Sequence, residues 1–243
     1  MFGVKFILGS EQLVTEDGQV SATVLPFDKK MSEVKYETAT FGMGWFWGPD
    51  SQFGSLPGVL RTRVGYCGGS EEKPSYYRMK DHTEAISIDY DPSVISYEEL
   101  LGYFWRGHRC TYTNKSVQYM NAVFYQNDRQ KELAQKSLEA QAIKLNISTA
   151  GVKTKILPVN EFTYAEGYHQ KYYLPNSSGI RKFLKETYPD SKSLADSSVA
   201  SRLNAYLNNG FSRNWSTFLE ELPSYGLPEE IEAQLRQRAT GKK

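Results

Sequence analysis

Between Lys35 and Pro158 the chain switches between two hydrophobic periodicities, and the order of the switches restricts the fold more than any other feature. Lys35–Phe41 (KYETATF) alternates apolar and polar residues and is rich in strand formers. Gly42-Met43-Gly44 breaks that run, and Trp45–Phe53 reads as a short helix. Val59–Tyr66, between the Pro57-Gly58 turn and Gly68-Gly69, is a second strand. Thr83–Tyr90 (TEAISIDY) alternates again and stops at Asp91-Pro92. Ser96 with Glu99 three residues later forms a capping box, in which each side chain satisfies the other's free backbone N–H. It opens a helix to Trp105 with Tyr97, Leu100, Leu101 and Phe104 on one face. Ala122–Tyr125 is a fourth strand, Asp128–Leu145 a long helix and Thr154–Pro158 a further strand. Strand, helix, strand, strand, helix, strand is the split βαβ, or ferredoxin-like, arrangement. The expected class is α+β: a ferredoxin-like βαββαβ core whose sheet is covered mainly on one side.

The flanks differ from this core. Residues 1–33 form a weakly patterned N-terminal segment with one strand expected at Gln19–Leu25. After Leu174-Pro175 the pattern turns helical, near Gly179–Thr187, Ser197–Leu207, Trp215–Leu222 and Glu229–Arg238. The expected division is an N-terminal segment 1–33, a main domain 34–175 and a helical C-terminal extension 176–243 packed on it.

Charge and composition remove several classes of function. Lys+Arg number 29 against 28 Asp+Glu, so there is no net field to draw in nucleic acid or an anionic membrane. No apolar run reaches the roughly 20 residues that a bilayer span needs. The opening MFGVKFILGSEQLV lacks a small-residue cleavage site, so a cytoplasmic location is expected, with mitochondrial or nuclear destinations left open. Two cysteines, Cys67 and Cys110, cannot make a disulfide framework and point to a reducing compartment. His82, His108 and His169 lack the spacing of a metal site, and none is expected.

Gly42-Met43-Gly44-Trp45-Phe46-Trp47-Gly48 lies between strand and helix but is not a dinucleotide motif. Its third glycine falls one residue beyond the place where a helix packs on its strand. Residue 45 is expected at a helix N-terminus, where free N–H groups favour negative charge and would activate a thiolate. This chain has an indole there. Taken alone, the aromatic cluster reads as core, and Glu84, Tyr76 and Tyr119 as ordinary surface positions.

The ordered set of segments says more than any one of them. FGMGWFWGPDSQFGSLPGVLRTRVGYCGG (41–69), Pro74-Ser75-Tyr76, His82-Thr83-Glu84, Phe104-Trp105 to His108, Gln118-Tyr119 and Tyr164–Tyr172 (YAEGYHQKY) together resemble the methionine sulfoxide reductase A family over about residues 35–174. The C-terminal helices resemble its long-tailed branch. The resemblance implies a peptide-methionine (S)-S-oxide reductase that acts on oxidised proteins or free methionine sulfoxide. It implies no bound cofactor, thioredoxin or another dithiol as reductant, and a monomer. In the family a thiolate at the helix N-terminus attacks the sulfoxide sulfur, and a sulfenic acid forms and is cleared by thiols. By position, Phe46 and Trp47 hold the substrate methyl group, Glu84 is the acid that protonates the sulfoxide oxygen, and Tyr76 and Tyr119 assist it.

The chain departs from the family where the chemistry starts. Trp45 stands at the nucleophile position, and indole cannot form a sulfenic acid. Arg109 and Cys110 replace the usual Asp-Pro, and the C-terminal Gly-Tyr-Cys of many members is absent. Some members carry selenocysteine at the nucleophile position, and its UGA codon is readily translated as tryptophan. Two functions follow: a reductase whose residue 45 has been replaced or misread, or an inactive paralogue that binds methionine-like groups or a protein. A third, chemistry relocated to Cys67 or Cys110, requires one of those thiols at the cleft. The size of the indole predicts that Trp45 fills the cleft, with its N–H turned to Glu84.

Overall fold

A computed structural model describes residues 5–7, 10–12, 24–174, 179–210 and 214–241. Two short strands, β1 (Lys5–Ile7) and β2 (Ser10–Gln12), pair antiparallel. Positions 19–23 of the expected N-terminal strand lie outside the described residues, and Val24-Leu25 are not strand. A short helix, α1 (Pro26–Ser32), follows instead. Proline at its first position supplies the helical φ and lacks only an N–H that would be free anyway.

The main sheet is built from β3 (Glu37–Met43), β4 (Val59–Cys67), β5 (Thr83–Tyr90), β6 (Asn121–Tyr125), β7 (Lys155–Pro158) and β8 (Phe162–Tyr164). Their spatial order is β7-β6-β3-β5-β4-β8. The inner four pair antiparallel, as the split βαβ arrangement requires, while β7 adds parallel to β6 and β8 antiparallel to β4. Three residues of β8 were too few to show an alternation.

Helices α2 (Trp47–Gly54), α3 (Tyr97–Arg106) and α4 (Asp128–Lys144) connect these strands. Both halves of the expected box on α3 form: Ser96 Oγ accepts from the Glu99 N–H, and Glu99 accepts from the Ser96 N–H. Phe41, Ile86, Ile88 and Val123 meet Phe53, Leu100, Phe104 and Ala134 in one apolar layer between sheet and helices. Burying that layer removes a large apolar area from water.

The opposite face of the sheet is not left to solvent as its polar alternation suggests, and all eight residues of β5 are buried. At one end Asp89 accepts from Thr38, Arg61 and Arg63, and Arg63 also meets Asp196. At the other end Cys67, Ala85, Ala122 and Phe124 form a small apolar cluster with Phe162 and Leu157 beside it. Polar residues on a strand need not face water when their partners come from elsewhere in the chain.

The C-terminal region contributes α5 (Gly179–Thr187), α6 (Ser191–Ala195), α7 (Ser198–Leu207), α8 (Trp215–Glu221) and α9 (Glu229–Ala239). Leu203, Tyr206, Phe218 and Tyr225 form a second core with Leu184 and, from the N-terminal side, Leu25 and Phe27. Every residue of α7 is buried. A side chain on Gly54 would come within 2.8 Å of the Ser201 carbonyl oxygen, so glycine lets α2 and α7 approach.

One buried polar network fastens these layers. Lys171 is fully buried, and its Nζ lies 3.1 Å from Asp50 on α2 and 2.5 Å from the Thr62 carbonyl on β4. The other oxygen of Asp50 accepts from Asn204 of α7 at 2.9 Å. Burial pushes the Lys171 amine down, and the Asp50 carboxylate opposes that shift. Removing one partner of a buried pair leaves the other charged without solvation and typically costs about 3–5 kcal/mol. Lys171→Met is therefore expected to lower unfolding free energy by about that amount. A denaturant midpoint equal to that of the parent chain would show that the pair does not hold the layers.

Candidate functional site

The ends of β3 and β4, the start of β5 and the turn before β6 come together beside the first turn of α2. Gly44 ends β3 with φ +88°, a left-handed conformation that suits glycine, and redirects the chain toward the helix. The helix starts at Trp47, not at Trp45 as the glycine break suggests. Phe46 is its cap: its carbonyl accepts from the Asp50 N–H at 2.9 Å, while its own N–H donates to the Glu84 carboxylate. Residue 45 thus precedes the cap, still next to the positive end of the helix.

Glu84 is 3% exposed. It lies opposite Tyr66 in the register of β4 and β5, on the helix-covered face. Burial pushes its carboxyl up to about 7, although the Gln118 amide, 2.9 Å away, and the Phe46 N–H both favour the carboxylate. Near neutrality a large share of Glu84 therefore holds a proton and can donate it. Tyr119 sits within the field of Glu84 and hydrogen-bonds with Tyr76; burial first, then the Glu84 charge, raises its hydroxyl. The structure thus brings Glu84, Tyr119 and Tyr76 into one cluster. Phe46, 2% exposed, and the half-buried Trp47 form its apolar wall with Tyr66 and Met79.

Sequence reasoning gave no role to the residues that hold this wall. Trp47 Nε1 donates to His169 Nδ1 at 3.3 Å, and its ring stacks flat on Tyr172 at 3.8 Å. That bond places the His169 proton on Nε2, and burial keeps the imidazole neutral by lowering its pKa. Glu166 accepts from the Tyr66 hydroxyl at 2.6 Å and from the Tyr76 N–H at 3.0 Å. Burial works against the Glu166 charge, but those bonds hold its carboxyl below the usual range. Glu166, His169 and Tyr172 all lie within Tyr164–Tyr172, so the signal was the density of polar aromatic residues there.

Trp45 does not fill the cleft. Its side chain is 55% exposed and lies over the first turn of α2, with ring centroids 6.2 Å from Trp47 and the indole nitrogen beside Gly48. The physical reason is that Glu84 is already engaged by Gln118 and the Phe46 N–H, and the neighbouring apolar space is taken by Phe46 and Trp47. An indole placed before the cap finds its lowest cost outside.

Neither cysteine reaches the cluster. Cys67 follows Tyr66 along β4 and so points to the opposite face of the sheet, among Ala85, Ala122 and Phe124. Burial pushes its thiol up to about 12. Cys110 is buried in the main core with Gln141 3.8 Å from its sulfur. His108, bonded to the Phe104 carbonyl and Thr154, joins loop to helix. Among the described residues no group of His, Cys, Asp and Glu could hold a metal ion.

A split βαβ sheet that sets a protonatable buried acid and an aromatic wall beside a helix N-terminus defines a scaffold for polarising a small polar group next to an apolar one. The chain belongs to the peptide methionine sulfoxide reductase family, whose sequence pattern matches residues 37–200. It is 44% identical over 172 residues to a peptide methionine sulfoxide reductase of Drosophila melanogaster, covering 70% of this chain and 68% of that one. Peptide methionine sulfoxide reductase A5 of Oryza sativa is 36% identical over 178 residues, 71% of this chain and 68% of its own. Among solved structures, methionine sulfoxide reductase A of Corynebacterium diphtheriae superposes with a TM-score of 0.55 at 30% identity, covering 61% of this chain and 79% of its own. Reduced Mxr1 of Saccharomyces cerevisiae gives 0.54 at 30%, covering 60% and 88%.

Cys67 is expected to resist a thiol-reactive probe in the folded protein and to react at once in denaturant, since the thiolate is both scarce and covered. Fast labelling of Cys67 under native conditions would mean that the reverse face opens.

Proposed function

We propose that the site recognises methionine sulfoxide as a peptide-methionine (S)-S-oxide reductase does, and that it turns over only when residue 45 carries a thiol or selenol. The observation that carries this is Glu84: a buried carboxyl with a pKa near 7, next to two tyrosines and an aromatic wall. Protonated Glu84, with Tyr119 and Tyr76, would donate to the sulfoxide oxygen. Phe46 and Trp47 would receive the methyl group, and the ties from Trp47 to His169 and Tyr172 would keep that wall in place.

With a thiolate at position 45 the steps balance. Its sulfur attacks the sulfoxide sulfur while Glu84 passes a proton to the oxygen. The protonated oxygen passes as hydroxyl from the substrate sulfur to the residue-45 sulfur while the S–O bond and the transient S–S bond of the adduct break, so methionine leaves as the thioether and residue 45 becomes a sulfenic acid. A dithiol then forms a mixed disulfide with loss of water. Its second thiol breaks that bond and restores the thiol, and the reductant leaves as a disulfide. Cys67 and Cys110 both lie away from the cluster, so reduction falls directly to an external dithiol, thioredoxin or dithiothreitol. With Trp45 the attack cannot occur, and recognition alone remains. The exposed indole favours this second reading for the chain as it stands, because it leaves the acid and its tyrosines unobstructed.

The parent chain is expected to release no methionine from methionine sulfoxide with dithiothreitol or thioredoxin. Trp45→Cys is expected to restore dithiothreitol-dependent reduction; a folded but inert revertant counts against the reductase reading. In that revertant Glu84→Gln should slow the reaction roughly 10²-fold or more, the usual scale for a lost general acid. Because the Glu84 pKa is raised, the proton needed is present below pH about 7 and lost above it. The pH profile of the chemical step in the revertant should therefore fall on the alkaline side of about 7. A rate that keeps rising through pH 8, followed by single-turnover quench, would assign the proton to another group.

A further inference from the structure

A cleft of about 730 Å³ lies between the site and the C-terminal helices. Two of its tyrosines belong to both places. Tyr172 lines the cleft and lies flat on Trp47; Tyr168 lines it and packs on His169 with ring centroids 4.2 Å apart. The C-terminal region supplies Leu207, Asn208, Arg181 and Arg238 to the lining, and among the described residues no acidic one lines it. Arg181 donates one N–H to the Leu174 carbonyl at 2.9 Å, and Arg238 donates to the Leu207 carbonyl and the Asn209 side chain. A guanidinium has five N–H groups in a planar fork, so both keep donors to offer a carboxylate.

The approach to the site is aromatic and open. Tyr77 is 90% exposed and meets Tyr76 edge-on, while Tyr168 and Tyr172 are about half exposed. Tyrosines suit a surface that must grip varied polypeptide, because they offer large amphipathic area at low cost in side-chain freedom. A cleft of this size accommodates several side chains and not only a methionine.

We propose that this cleft seats the polypeptide flanking an oxidised methionine, and that Arg181 and Arg238 favour substrates with an aspartate or glutamate side chain in that flank. The tyrosines carry the chain from the methionine pocket into the cleft, and the arginines meet its carboxylate through charge-assisted hydrogen bonds. The C-terminal helices would then set which oxidised segments the site accepts. This inference rests on the methionine-sulfoxide reading of the site above.

The test uses synthetic peptides with one methionine sulfoxide, in which aspartate, lysine or a neutral residue is moved along both flanks. Fluorescence anisotropy of the labelled peptides on the unaltered chain should place the best aspartate peptide about three- to tenfold tighter than the neutral one. That is the range of one or two partly exposed ion pairs. Lysine at the same position should weaken binding, and added salt should shrink the difference. Arg181→Gln and Arg238→Gln should close the gap between aspartate and neutral peptides. Equal affinities across the series would overturn the proposal, and so would a preference untouched by both substitutions. N-acetyl methionine sulfoxide, too short to enter the cleft, separates the two ideas. If Trp45→Cys fails to reduce it while the charge preference persists, the reductase reading falls and the groove stands. If it is reduced and no preference appears, the groove falls alone.

Discussion

Asp50 and Lys171 meet in the space between sheet, α2 and α7, where neither is solvated, and the arrangement of the site follows from their meeting. Asp50 sits in the first turn of α2, so whatever holds it also fixes the end of the helix that faces the aromatic cluster. Lys171 follows Gln170 and His169 in sequence, so the same contact fixes the imidazole against Trp47. Gln170 adds to this by bridging the backbone of Val64 and Ala165. Thr62 and Asn204 bring in β4 and α7. A set of partly satisfied polar groups would be worse than an apolar core at this place; a fully paired set gives one geometry.

That network does not use the side chain of residue 45, and the cluster is formed with an indole at that position. Glu84 is held from its own strand, from Gln118 and from the Phe46 N–H, and none of these involves the side chain of residue 45. The wall is held by Tyr172 and His169. Residue 45 is accordingly less enclosed than the rest of the cluster: its side chain lies before the helix cap and over its first turn. An indole can stand there without overfilling a core, which would otherwise cost about 1–3 kcal/mol.

The element order was legible because it rests on local signals. The Ser96–Glu99 box, the alternation of Thr83–Tyr90 and the glycines around α2 each act within a few residues. The signals that failed are those whose physical partner is remote. Asp89 reads as a solvated strand residue until Arg61, Arg63 and Thr38 are placed around it. α1 has too few turns for a periodic stripe, and its burial depends on Phe27 meeting Tyr225 from the other end of the chain. At the site, family resemblance pointed to Glu84, Tyr76 and Tyr119, which the structure brings together, whereas residue size misplaced Trp45. A volume argument does not say which neighbour has already taken the space.

Lys171 adopts φ 51°, a left-handed conformation that non-glycine residues rarely hold without support. The support is the ammonium's own set of bonds inside the protein, so backbone and side chain at this residue are committed together. During synthesis Asp50 must wait for a residue more than a hundred positions later, and then for Asn204 beyond it. A nascent chain can pair its first strands early, yet the polar contacts of α2 through Asp50 are complete only when most of the polypeptide has emerged. The helical tail supplies the last contact of the network that anchors α2.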